Sequence, residues 1–235
     1  MTATATAAGT ATERDPAAFQ TTIGKKIVVA VTGILFIGFV VAHMVGNLHA
    51  FQGPRQLDHY AEWLRSMGEP AVPRGLILWL LRGILFVGVC LHVGLTIQLA
   101  MKSRSARETR YVHPGVVQAN YASRTMRWGG VVILAFVIFH LMDFTWGVHP
   151  HFIRGAVYHN VVVGFRRIPV TIAYLIALVA LGMHLYHGTW STFQTLGVRR
   201  AQWDKKIRAL ALTLALVIPI GYAAVPVAVV FRLVK

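Results

Sequence analysis

Five runs of about twenty or more mostly apolar residues limit what this chain can fold into. They cover 26–49, 75–101, 127–146, 168–194 and 207–231. At 1.5 Å rise per residue, each is long enough as a helix to cross a hydrocarbon layer about 30 Å thick. Hydrocarbon offers no hydrogen-bond partner, so a crossing segment must satisfy its backbone internally, which restricts each run to a helix. Of the 235 residues, 56% are hydrophobic and only 13% charged. The expectation is an all-α membrane protein with five transmembrane helices, organised as a tail over 1–24 and a membrane domain over 25–235.

Charge placement predicts orientation, because Lys and Arg in short loops are retained on the cytoplasmic side. Arg14, Lys25 and Lys26 precede the first run. Lys102, Arg104, Arg107, Arg110, Arg124 and Arg127 lie around the second loop, and Arg199, Arg200, Lys205, Lys206 and Arg208 around the fourth. The opposite side carries Arg55, Arg65, Arg74, Arg154, Arg166, Arg167, Arg232 and Lys235, which is fewer. The N-terminus is expected in the cytoplasm and the C-terminus outside a cytoplasmic membrane crossed several times. This distribution accounts for the net charge of +15 without nucleic acid, since no soluble stretch is long enough to present a reading face.

Residues 1–20, MTATATAAGTATERDPAAFQ, are small, polar and of low complexity. They lack a basic segment followed by an apolar one, so a cleavable signal peptide is not expected. The lone Cys90 excludes an intramolecular disulfide and a Cys-x-x-Cys-His haem attachment, and reads as a small apolar residue.

Within the first four runs stand His43, His92, His140 and His184, one per run. An ionisable or metal-ligating side chain inside hydrocarbon is costly, and its default reading is functional. Counted inward from the expected outer ends, His43 lies about 15 Å deep and His140 about 10–15 Å. His92 and His184 lie about 28 and 26 Å deep. The histidines therefore form two pairs at two levels, roughly 11–18 Å apart along the membrane normal. Two b haems, each with two histidine ligands, fit that spacing. A lone histidine on an apolar helix is more often an interhelical hydrogen-bonding contact; four matched in depth are not.

Gly33 and Gly130 each lie ten residues before a histidine of the outer pair, hence at the level of the inner pair, where a flat macrocycle needs room between helices. Close helix packing explains such glycines equally well. Arg82 lies ten residues before His92, at the outer level, and is assigned to a haem propionate, with snorkelling to the surface as the competing reading. Asp143, one turn after His140, is read either as an acceptor for an outer ligand or as a helix-end group near water. His113, His149, His151 and His159 are placed in loops.

The segments VAHMVGNLHAF around His43, CLHVGLTIQLA around His92, VIFHLMDFTW around His140 and GMHLYHGTWSTFQTLG over 182–197 resemble the cytochrome b membrane-anchor subunit of succinate dehydrogenase and fumarate reductase, in its single-subunit, five-helix, two-haem form. The resemblance runs from about Gly24 to the C-terminus. It implies a haem-binding bundle of the first four helices, ligation by His184 rather than His187, and a cytoplasmic complex with an iron–sulfur and a flavoprotein subunit. It further implies electron transfer between the iron–sulfur chain and a membrane quinone, menaquinone or ubiquinone, with no succinate-oxidising site on this chain.

For the quinone, the outer candidates are Glu62 and His59 in LDHYAEWLRSMGEP, with Glu69 behind them; in two-haem relatives an outer glutamate handles quinol protons. An amphipathic surface helix with Tyr60 and Trp63 at the interface explains the same stretch. The inner candidates are Ser123, Arg124, His187 and Trp203. The rival functions are a cytochrome b anchor of hydrogenase or formate dehydrogenase type, a haem-free anchor, and a transporter using membrane histidines as a relay. The stretch 182–197 argues against the first, and the two matched depths argue against the last.

Overall fold

The computed structural model describes residues 21–105, 121–198 and 200–235, with the side chains of 121–125 outside the description. The elements are α1 (Thr22–Asn47), α2 (Pro54–Ser66), α3 (Leu76–Ser105), α4 (Tyr121–Phe144), α5 (Val157–Arg166), α6 (Ile168–Thr195) and α7 (Asp204–Val230). Short 3-10 turns follow α1 at Leu48–Gln52 and precede α7 at Ala201–Trp203. The chain is an all-α membrane protein: five helices, α1, α3, α4, α6 and α7, are long and apolar enough to cross a bilayer.

The spans end where local chemistry changes. The Thr21 hydroxyl accepts from the Gly24 amide at 2.9 Å, satisfying a free N–H of the first turn. Helix α1 therefore starts at Thr22, slightly before the boundary at 24 expected from composition. Residues 1–20 lie outside the described residues. Helix α6 carries Pro169 in its first turn, where a missing N–H costs nothing, and stops at Gly197, whose φ of +71° suits glycine. Pro219 and Pro226 stand inside α7, as membrane helices tolerate.

Helix α6 is the centre of the bundle and packs against α7, α4 and α1. The α6–α7 seam is close because Gly182 has no side chain: a Cβ there would lie 2.9 Å from the carbonyl oxygen of Ala215. Helix α3 packs along α1, where Gly88 accommodates Leu35 and Phe36, and touches α2. Neither α1 with α4 nor α3 with α6 forms an extended backbone seam among the described residues.

Two short helices close one end of the bundle. Helix α2 is amphipathic, burying only Leu57, and is the surface helix that its sequence pattern suggests. Helix α5 is not foreseen by the sequence, which reads as a loop there. It buries Asn160, Val162, Gly164 and Phe165, and His159 stands on this helix rather than in a loop. Apolar side chains from α2, α5, α6 and α7, including Leu57, Val162, Phe165, Tyr174, Val225 and Val229, form the main core at this end.

Candidate functional site

The four span histidines meet in two pairs. The His43 and His140 rings, from α1 and α4, have centroids 5.9 Å apart. Those of His92 and His184, from α3 and α6, are 6.4 Å apart. Each pair joins two helices without an extended seam of their own, so side chains, not backbones, bridge the gap. Thr32 on α1 touches His92 and lies eleven residues before His43, which sets the two pairs about 16 Å apart along the bundle. His43 and His140 are nearer the α2/α5 end.

Each pair has its own surroundings. Thr32 Oγ1 lies 2.9 Å from His92 Nδ1 and also 2.8 and 3.0 Å from the carbonyls of Val28 and Val29. A hydroxyl has one hydrogen, which these carbonyls accept, so Thr32 accepts from His92 Nδ1–H and leaves Nε2 as the ring nitrogen with a lone pair. His184 Nδ1 is buried without a protein partner among the described residues. In the other pair, His140 Nδ1 is 3.1 Å from the Tyr174 hydroxyl, and Phe136, Phe139, Phe144 and Phe165 ring Tyr174. Phe39 stacks on His43, and Tyr222 lies beside it while donating to the Val40 carbonyl.

Gly33 and Gly130 sit at the level read for them. A Cβ on Gly33 would lie 3.7 Å from Cε1 of His92, and one on Gly130 would lie 3.8 Å from Cε1 of His184. Both glycines thus leave the space immediately beside an imidazole of the second pair free of side chain.

Other expected site residues stand apart from the pairs. The Arg82 guanidinium lies over the Trp79 ring at 4.9 Å, exposed on α3. Glu62 pairs with Arg65 at 3.6 Å and with Arg74, half-exposed on α2; His59 is exposed beside it. His187 lies one turn after His184 with its ring 6.2 Å from Trp190. The exposed Trp203 ring is covered by Lys206 at 4.9 Å. Ser123 and Arg124 are in the first turn of α4, but their side chains fall outside the described residues. Lys25 Nζ donates to Gln98 at 2.7 Å and Lys102 Nζ to Thr22 at 2.9 Å, tying α1 to α3 at the end remote from α2.

Comparison with family models, with curated proteins and with solved structures found no match.

Two residues beside the pairs escaped the sequence reading. Tyr174 lies ten residues before His184, the same offset that singled out Gly33, Gly130 and Arg82, and this offset was the signal available for it. Thr32 precedes Gly33 directly. Asp143 is 4% exposed and pairs with Arg167 at 2.5 Å, so it takes neither of its two expected roles. His149, expected in an unremarkable loop, is 6% exposed. His113 lies outside the described residues.

Proposed function

We propose that this chain is the membrane-anchor and electron-transfer subunit of a succinate:quinone oxidoreductase, binding two b haems. The observation that carries the reading is the pairing of four histidines from four helices at two levels. The ring centres, 5.9 and 6.4 Å apart, bring each pair of imidazoles from two helices to one place, where both could serve one iron. Among the described residues there is no group of three or more His, Cys, Asp or Glu able to hold a bare metal ion. Two ligands per level suit an iron whose other positions a macrocycle fills.

When bound, haem supplies one-electron redox chemistry at each level. The chain's own part is to hold and tune. His43 with His140, and His92 with His184, would hold the two haems through their imidazole nitrogens. Thr32 fixes the His92 tautomer, and the Tyr174 hydroxyl, 3.1 Å from His140 Nδ1, would accept from that nitrogen when the other is given to the iron. Gly33 and Gly130 keep side chains away from the inner ligands. Arg82 is retained for a propionate of the outer haem, although its Trp79 neighbour favours the snorkelling reading.

The N-terminal end faces the cytoplasm in this reading, where iron–sulfur and flavoprotein subunits dock on its basic segments, within a cytoplasmic membrane. A lipid quinone, menaquinone or ubiquinone, is the exchange partner, with Glu62, His59, Ser123, Arg124, His187 and Trp203 as contact candidates. A C-terminal reporter active only outside the cytoplasm is expected to be active; activity of the same reporter only in the cytoplasm would reverse the orientation.

The visible spectrum of the purified, dithionite-reduced complex tests the proposal. Sharp b-type bands with two haems per chain are expected. Their absence would leave a transporter or a haem-free anchor. Bands without succinate-linked reduction would favour an anchor of hydrogenase or formate dehydrogenase type.

A further inference from the structure

The α2/α5 end holds buried polar side chains that the electron-transfer reading does not use. After α4 the chain doubles back over the last turn: the amides of Trp146 and Val148 donate to the carbonyls of Leu141 and Met142. Gly147, at φ +67°, permits the reversal. The loop is then clamped, because buried Asn160 on α5 accepts from the Ile153 amide at 2.9 Å and donates to its carbonyl at 2.8 Å. Phe152 lies edge-on to His149. The His149 ring is thereby sealed, and neither of its nitrogens has a protein partner among the described residues.

Buried polar groups are nearly always paired, and an unpaired imidazole and an unpaired carboxylate oxygen at one end of the bundle call for an explanation. Asp143 gives Oδ1 to Arg167 and leaves Oδ2 buried and without a protein partner. The charged and titratable groups acting on His149 are Arg167, Asp143, His151 and His159. Burial and the Arg167 charge lower its proton affinity, and Asp143 opposes them, so the resting ring is neutral at pH 7. A protonated ring would be favoured by the Asp143 carboxylate, whose charge acts on it. This end adjoins the His43–His140 pair through Tyr174, which contacts His140 and lies within electrostatic reach of Asp143 and Arg167.

We propose that His149, in the field of the Asp143 carboxylate, is a proton-holding site that loads from the α2/α5 side when negative charge is added at the neighbouring His43–His140 pair. The inference rests on the haem reading of that pair. One electron, delivered by quinol or by an added reductant, arrives at the pair. One proton from water on the α2/α5 side binds a ring nitrogen of His149, and the same proton leaves on reoxidation. No other bond forms or breaks.

The test poises the complete membrane complex, grown with ring-labelled histidine, at reducing and oxidising potentials and records infrared difference spectra alongside haem absorption from pH 5 to 9. Reduction is expected to give a histidine-ring protonation band in wild type. That band should vanish in His149→Phe, persist in His151→Phe, and be accompanied by an outer-haem potential that falls with pH in wild type but is flat in His149→Phe. Two b-type bands with no histidine-ring band in wild type, or with the same pH slope in wild type and His149→Phe, would overturn this inference alone. Absent b-type bands would overturn the haem reading and this inference with it. If His149→Phe fails to accumulate, His149→Gln and the wild-type labelled band decide the matter.

Discussion

At the residue scale, the functional weight falls on what each imidazole does with its second nitrogen. A histidine binds metal through one nitrogen, and the partner of the other fixes tautomer and ring angle. Thr32 does this for His92 because its own hydrogen is committed to the carbonyls of Val28 and Val29. Thr32→Val keeps the shape and removes the hydroxyl acceptor beside His92 Nδ1, a loss of about 0.5–1.5 kcal/mol. In the two-haem reading, haem affinity at the inner level should fall about 10–100-fold, because the ligand loses the partner that orients its ring, with Thr32→Ser restoring it. Haem per polypeptide after dilution measures this, and wild-type retention in the Val variant would remove Thr32 from the site. A hydroxyl in an apolar helix gives little sequence signal. It reads as a residue satisfied by its own helix, which Thr32 also is, and only the fold brings His92 to its lone pair.

At the element scale, the spans and the histidine levels were legible because hydrocarbon leaves one backbone solution and a helix converts residue number into depth. The same arithmetic placed Gly33 and Gly130 beside the imidazoles of the second pair. It says less about Arg82, since depth carries no information about direction around the helix, and the guanidinium stacks on its own helix's Trp79. Helix α5 was illegible for another reason. Its start lacks a side-chain cap, and the Asn160 clamp that orders the loop before it depends on tertiary structure. The α1–α3 seam makes a separate prediction. A Cβ on Gly88 already meets Phe36 and Leu35 at 3.2 and 3.3 Å, so Gly88→Leu must push α3 away from α1 and separate His92 from Thr32. Overpacking of this kind costs about 1–3 kcal/mol. In the two-haem reading, the haem of the His92–His184 pair should be lost preferentially and the other retained, read as a halved haem content with one surviving midpoint potential; full occupancy of both levels would show that α3 is not held through this contact.

At the scale of the whole molecule, four helices contribute one histidine each, but the partners are not neighbours in sequence: α1 reaches α4, and α3 reaches α6. Each proposed centre therefore ties together helices that do not otherwise pack along their length, and the two centres share no ligand. This makes the pairing separable by mutation. His43→Ala and His140→Ala should remove the same spectroscopic component, and His92→Ala and His184→Ala the other, while His187→Ala, one turn along α6, should leave both. Because Thr32 and Gly33 on α1 line the level of His92, and Gly129 and Gly130 on α4 approach α6 near His184, loss of one centre should weaken the second without abolishing it. Low-temperature difference spectra and haem counts of the five variants distinguish the patterns. If His43→Ala removed the component lost with His92→Ala and spared the one lost with His140→Ala, ligation would follow sequence order and not the ring contacts. A His187→Ala protein lacking one component would move the fourth ligand from His184 to His187.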